Sequence, residues 1–345
     1  MFINKNNKPF LIAEISSNHN GNINNALKLI DLAKKSKADA VKLQTFLPEK
    51  MTLNFKSELF KIKNGNWKNY YLFDLYKKAQ TPLSWHKKLF DYAKKRRIKI
   101  FSTPFDEQSV DFLEKLNCPM YKIASFEMTD IPLVKKIAKT KKPLIISTGL
   151  SNLDEIDKTF KIAKKFGAKK IALLYCVSSY PAKPSEFNLN NIKILKERYN
   201  CTIGLSDHSN DYEIAQNAIA CGAEIIEKHI ALKNQKQGLD IKFSTKGNEL
   251  KLFREKIDKS HNLLGKKKFF RAKSELVNIQ FRRSIFAIKT INKNEKLSLN
   301  NIGRIRPGFG ISPIYFEKLI NKKSPFLIKK GQPLKISILK KLKIK

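Results

Sequence analysis

Two short segments of this 345-residue chain carry side chains suited to holding a cation: Gly204-Leu-Ser-Asp-His208 and, a helix-length gap later, Glu224-Ile-Ile-Glu-Lys-His229. Each histidine stands where a short apolar run gives way to polar residues. A neutral imidazole offers a lone pair to a divalent metal, and two of them leave coordination positions open for a substrate oxygen. His208 and His229 are therefore the candidate metal ligands. Asp207 either joins the chemistry or orients His208, and Glu227 either handles protons or neutralises a lysine.

The lysines point to a second kind of chemistry. Val41-Lys-Leu43 and Tyr121-Lys-Ile123 each set a lysine in apolar company. A buried ammonium needs an anion, supplied by the protein or by a ligand, and for Lys42 the protein candidates are Glu14 and Glu227. With the hydroxyls of Thr103, Ser125, Ser147 and Ser206, the two lysines suit a ligand that carries both a phosphate and a carboxylate. Gln44, Ser178 and Tyr180 fall at further run ends. Asn18-His-Asn-Gly21 reads as a turn into a helix capped by Asn22, and His86 and His261 lie in helical patterns as surface residues.

These residues meet only if the elements that carry them end on one side. Apolar runs at 10–15, 38–43, 98–101, 120–124, 144–147, 171–176, 202–205 and 224–227 alternate with amphipathic helical stretches. Ala26, Leu29, Ile30 and Ala33 mark the buried face of the first. Eight runs match a parallel (β/α)8, or TIM, barrel of the α/β class, whose C-terminal strand ends form one mouth. The stretch 47–81 interrupts the alternation with Phe60, Trp67, Tyr70, Tyr71, Phe73 and Tyr76 and is expected as a lid or substrate wall after the second strand. The barrel is expected over 1–264 and a basic linker over 265–283. A small β-rich module over 284–345 follows, with short strands and Gly turns such as Arg306-Pro-Gly-Phe-Gly310.

Composition narrows the setting. The net charge of +39 is mostly lysine spread through the chain, which reads as compositional bias more than as a polyanion-binding patch. A non-enzymatic binder of nucleic acid or acidic glycans would not need Glu14, Asp207, Glu227 and both histidines, so no nucleic-acid partner is expected. No apolar segment reaches the ~18 residues of a membrane span, and Cys118, Cys176, Cys201 and Cys221 form no CxxC pair. A cytoplasmic location without a membrane partner is the expectation.

Several motifs carry a resemblance. Ile12-Ala-Glu14, Asn18-His-Asn-Gly21, Val41-Lys-Leu-Gln-Thr45, Phe101-Ser-Thr-Pro-Phe105, Tyr121-Lys-Ile-Ala-Ser125, Ser147-Thr-Gly149, Gly204-Leu-Ser-Asp-His208 and Glu227-Lys-His229 together resemble the sialic acid synthase family. The module at 284–345 is similar to that family's antifreeze-like (SAF) domain. Phe60-Lys-Ile-Lys-Asn-Gly-Asn-Trp67, Leu75-Tyr76 and Ile305-Arg-Pro-Gly-Phe-Gly310 look most like the branch acting on 2,4-diacetamido-2,4,6-trideoxy-altrose. N-acetylmannosamine and the legionaminic acid precursor are the alternative sugars.

The resemblance implies metal-dependent condensation of phosphoenolpyruvate with an open-chain amino-sugar aldehyde. It implies Mn²⁺, with Co²⁺ or Mg²⁺ as alternatives, on His208 and His229, and phosphoenolpyruvate on Lys42, Lys122, Thr103, Ser125, Ser147, Ser178 and Ser206. Glu14, Glu227 and Asp207 are the implied catalytic residues, and Gln44, Phe105, Tyr180 and Asp240 line the site. Arg306 would reach the barrel of the other subunit in a domain-swapped homodimer. Two positions depart from the family's pattern: Ser178, where Asn also occurs, and Leu239 in Gln237-Gly-Leu-Asp240.

Overall fold

The computed structural model describes residues 8–266 and 268–345, and contacts divide the chain into two compact units, Met1–Gly265 and Lys266–Lys345. In the first unit eight parallel strands close on themselves: β1 (Phe10–Glu14), β2 (Ala40–Thr45), β3 (Lys99–Pro104), β4 (Tyr121–Ile123), β5 (Leu144–Ser147), β6 (Ile171–Cys176), β7 (Thr202–Asp207) and β8 (Ile225–Ala231). Each pairs with the next, and β1 returns to pair with β8. A short β9 (Thr245–Lys246) pairs parallel with the end of β8.

Crossover helices follow each strand: α1 (Ile23–Lys35), α2 (Leu83–Lys95), α3 (Glu107–Lys115), α4 (Ile131–Lys139), α5 (Leu153–Lys165), α6 (Asn190–Arg198), α7 (Tyr212–Ala220) and α8 (Glu249–Leu264). Their sequences explain where they start and what they bury. The Asn22 side chain accepts from Asn24 N at the start of α1, whose Ala26, Leu29, Ile30 and Ala33 are buried as the spacing predicts. Asn152 and Glu155 form a reciprocal capping box on α5. The core lies between these helices and the sheet and inside the barrel.

His86 departs from the surface position expected of it. It sits on α2 with its ring turned inward, where Nε2 bonds Thr45 Oγ1 at 2.8 Å and Nδ1 bonds Pro82 O at 3.1 Å. A polar ring pattern cannot reveal burial when two local partners satisfy both nitrogens. Strands β7 and β8 also run further than the apolar runs, because their polar residues pair across the two strands, Ser206 with Glu227 and Asp207 with Lys228.

The second unit has its own core, including Ile285, Ile291, Leu297, Ile302, Leu319 and Leu334. It pairs β10 (Ser284–Ala287) antiparallel with β11 (Ile302–Ile305) and adds single bridges such as Ile291 to Ile328. Residues Lys273–Phe281, within the stretch read as a linker, form an exposed 3-10 segment.

Candidate active site at the barrel mouth

The strand register assembles the charged cluster. Glu14 on β1 is level with Lys42 on β2 and with His229 on β8, while Ser206 on β7 is level with Glu227 on β8. All are buried. Lys42 Nζ pairs with Glu14 Oε2, lies 3.5 Å from Glu227 Oε1 and donates to Thr103 Oγ1 at 3.1 Å. Lys122 Nζ straddles the Glu227 carboxylate at 3.0 and 3.1 Å, and Ser206 Oγ donates to the same group at 3.2 Å.

This arrangement treats the two carboxyls differently. Burial raises Glu14 to about 7 against the pull of Lys42, so near neutral pH it both holds and releases a proton. Burial works the same way on Glu227, but Lys122 and Lys42 overcome it and hold the group down at about 2. Lys122 is itself pushed down by burial, with Glu227 opposing. Two lysines facing one firmly ionised and one protonatable carboxyl can take up an incoming anion without a large excess of buried charge.

The histidines stand beside this cluster with ring centroids 5.5 Å apart. His208 Nδ1 is 3.0 Å from Val177 O, and a carbonyl only accepts, so Nδ1 carries the hydrogen and Nε2 keeps a lone pair. Burial lowers His208 to about 4 and His229 well below the ordinary histidine value. His229 Nδ1 is buried with no protein partner. Among the described residues no cluster of three or more His, Cys, Asp or Glu side chains forms a metal cage. Two neutral imidazoles with an orphaned nitrogen fit a divalent ion that takes its remaining ligands from water or substrate.

Next to His229 opens a cavity of about 400 Å³. Ser16, Gln44, Phe105, Tyr180 and Asp240 are among its lining residues. The Tyr180 ring lies tilted 4.4 Å from that of His208, and Phe243 lies 4.9 Å from His229. Asp240 is fixed through one oxygen, Oδ2, which accepts from Ser16 Oγ at 2.6 Å and Ser17 Oγ at 2.7 Å. The 47–81 stretch contributes directly: Asn66 Nδ2 and Trp67 Nε1 both donate to Leu239 O, at 2.7 and 3.0 Å. The unusual Leu239 thus serves through its carbonyl, and Asp240 beyond it still reaches the site.

Ser125, Cys176 and Ser178 converge around Gly149, with Ser125 Oγ 2.9 Å from Cys176 Sγ. A Cβ at Gly149 would stand 2.6 Å from Cys176 Sγ, 2.9 Å from Ser125 Oγ and hard against Ser178 Oγ, so glycine keeps this hollow open. Ser147 Oγ is buried without a partner.

One anticipated site residue stands apart. Asp207 points to the outside of β7, where Oδ2 binds Lys228 Nζ at 2.9 Å and Oδ1 accepts from Ser209 N at 2.8 Å. It makes no bond to His208, whose Nδ1 is taken by Val177 O. Arg306 belongs to the second unit, exposed just after β11. Glu127 is the residue that sequence reasoning missed. It lines the cavity with Oε2 buried and unpartnered, and burial raises it to about 7. An acidic residue two positions past Ser125 was the available signal.

Fold and site together define a barrel enzyme with two buried lysines and a pair of neutral histidines at its mouth. Residues 29–269 match the NeuB family model and residues 282–339 the SAF domain model. The chain is 41% identical, over 96% of its length and 97% of the relative's, to pseudaminic acid synthase of Campylobacter jejuni subsp. jejuni serotype O:2. It is 39% identical, over 91% of its length and 95% of the relative's, to the N,N'-diacetyllegionaminic acid synthase of the same organism. A solved N-acetylneuraminic acid (sialic acid) synthetase from Leptospira borgpetersenii serovar Hardjo-bovis superposes with a TM-score of 0.72 at 34% identity, covering 80% of this chain and 92% of that one. The chain belongs to the NeuB family, the sialic acid synthase family of enzymes, and carries a C-terminal SAF domain.

Proposed function

We propose that this protein condenses phosphoenolpyruvate with 2,4-diacetamido-2,4,6-trideoxy-altrose to give pseudaminic acid and phosphate. The observation that carries the reading is the convergence of Lys42 and Lys122 on Glu227 beside two neutral histidines. Phosphoenolpyruvate brings two anionic groups, and the lysines with Thr103, Ser125, Ser147, Ser178 and Ser206 supply cations and hydroxyls for both. Likeness to a pseudaminic acid synthase over nearly the whole chain supports the choice of sugar.

In this reading C3 of phosphoenolpyruvate bonds to the aldehyde carbon, whose oxygen takes a proton. Water adds at C2, and phosphate departs with the C2–O bond as the ketone forms. Positive charge develops at C2 on the way, and Glu14 and Glu227 are the buried carboxyls available to stabilise it and to move protons. Holding both reactants together can be worth ~7–11 kcal/mol of barrier. A divalent ion on His208 and His229, Mn²⁺ with Co²⁺ or Mg²⁺ as alternatives, would polarise the aldehyde oxygen. By the same family analogy the enzyme works in the cytoplasm as a domain-swapped homodimer, Arg306 of one copy contacting the sugar's acyl group in the other.

The test is phosphate release from phosphoenolpyruvate with Mn²⁺, offering the altrose sugar, the legionaminic acid precursor and N-acetylmannosamine separately, with His208→Ala as control. Release with the altrose sugar alone, abolished in the variant, is the expected result. Release with either other sugar instead overturns the choice of substrate.

A further inference from the structure

One wall of the cavity comes from a single segment, the 47–81 insertion between β2 and α2. The side chains of Met51, Ile62, Leu72, Leu75 and Ala79 in this wall carry only carbon and sulfur, and Tyr76 adds a phenol. The Trp67 N–H is already committed to Leu239 O, so it is unavailable to a ligand. Together with Asn66 it ties the insertion to the residue before Asp240 through two hydrogen bonds on one carbonyl, which fixes the wall before any ligand arrives.

The insertion meets the histidines through one intervening ring on each side: Trp67 is 6.3 Å from Phe243, which is 4.9 Å from His229, and 5.2 Å from Tyr180, which is 4.4 Å from His208. On the proposed reading, which this inference rests on, the aldehyde carbon lies by His208 and His229. An extended six-carbon chain from there reaches about 6 Å, which carries its far end to the insertion.

We infer that the insertion is the specificity element for the distal end of the sugar, selecting a terminal methyl over a hydroxymethyl group. A hydroxyl placed against Ile62, Leu72 and Leu75 leaves water and finds no partner on those side chains, whereas a methyl gains burial. Apolar pockets reject an added hydroxyl only modestly, by roughly 10- to 100-fold. That is the size of preference expected here.

Two sugar pairs, each differing only in the oxygen at C6, separate this inference from the proposed function. One is 2,4-diacetamido-2,4,6-trideoxy-altrose and its 6-hydroxy counterpart; the other is N-acetylmannosamine and its 6-deoxy counterpart. The pair that turns over decides the proposed function, and the preference within that pair decides the inference. The 6-deoxy member is expected to have the higher kcat/KM by roughly 10- to 100-fold. Leu72→Asn and Ile62→Ser are each expected to bring the ratio toward parity, with melting temperatures checking that each variant folds and the KM for phosphoenolpyruvate as an internal reference. Parity within the pair in the parent enzyme, or an unchanged ratio in the folded variants, overturns the inference. Turnover of neither pair overturns both it and the proposed function.

Discussion

Glu127 keeps a carboxyl in a largely apolar cavity with one oxygen unpartnered, and burial lifts it to about 7. An unfolded glutamate titrates near ~4.3, so the folded state binds this proton more tightly. Its contribution to stability is complete below the unfolded value and is lost as pH rises through the folded one. Glu127→Gln stays neutral and is therefore expected to match the parent at about pH 4–5 and exceed it at about pH 8, by on the order of 1–3 kcal/mol. Thermal melts at the two pH values check this; an equal difference at both contradicts it. Lys122 makes the opposite kind of contribution, since Glu227 keeps its low value chiefly through that ammonium. Lys122→Met is expected to lower kcat/KM by about 100-fold or more, as loss of a preorganised charge does, with steady-state kinetics as the readout. A fall of less than about tenfold would remove Lys122 from the substrate site.

The ends of β7 and β8 decide how the elements serve the site. Register sets Asp207 level with Lys228, and their buried pair on the outer face holds side by side the strands that present His208 and His229 inward. Lys228→Met leaves Asp207 buried without its cation and is expected to cost about 3–5 kcal/mol. Adding Asp207→Asn should recover much of that loss, and chemical denaturation of the single and double variants measures it. If the double variant is as unstable as the single one, the pair is not what holds the strands. The eight strands and their order were legible because parallel strands covered on both faces read as short apolar runs between amphipathic helices. Their limits were less so. Ser206 and Glu227 lie within strands although they are polar, because the barrel interior supplies partners that a linear sequence does not display. Side-chain alternation along β7 carries the information that Asp207 opposes Ser206, and attention to chemistry over alternation placed Asp207 in the site. Glu127 escaped because it lies past the end of the motif Tyr121-Lys-Ile-Ala-Ser125, at the far end of the 3-10 turn Ser125–Glu127.

At the scale of the whole molecule, a large barrel core and a small second core are separate units of the chain. The smaller one packs Leu319 against neighbours such as Ile302 and Ile291. Leu319→Ala is expected to cost about 2–5 kcal/mol and to lower the melting transition of that unit while leaving the barrel's transition in place. Calorimetry of the full chain checks this, and a single transition shifted as a whole would mean that the units unfold together. The small module was legible as a unit from its Gly turns and short apolar runs. Its short strands at Ser284–Ala287 and Ile302–Ile305 were legible too, whereas single bridges such as Ile291 to Ile328 were not, because they leave no alternating pattern to read.

The proposed function rests on one arrangement, an anionic substrate on two buried lysines beside a metal on two buried histidines. Crystals grown with Mn²⁺ and phosphoenolpyruvate, measured at the manganese absorption edge, test it most directly. The expected result is one anomalous peak in bonding contact with nitrogens of His208 and His229, with the anionic groups of phosphoenolpyruvate on Lys42 and Lys122. A peak elsewhere, or none with phosphoenolpyruvate bound away from both lysines, would contradict the account.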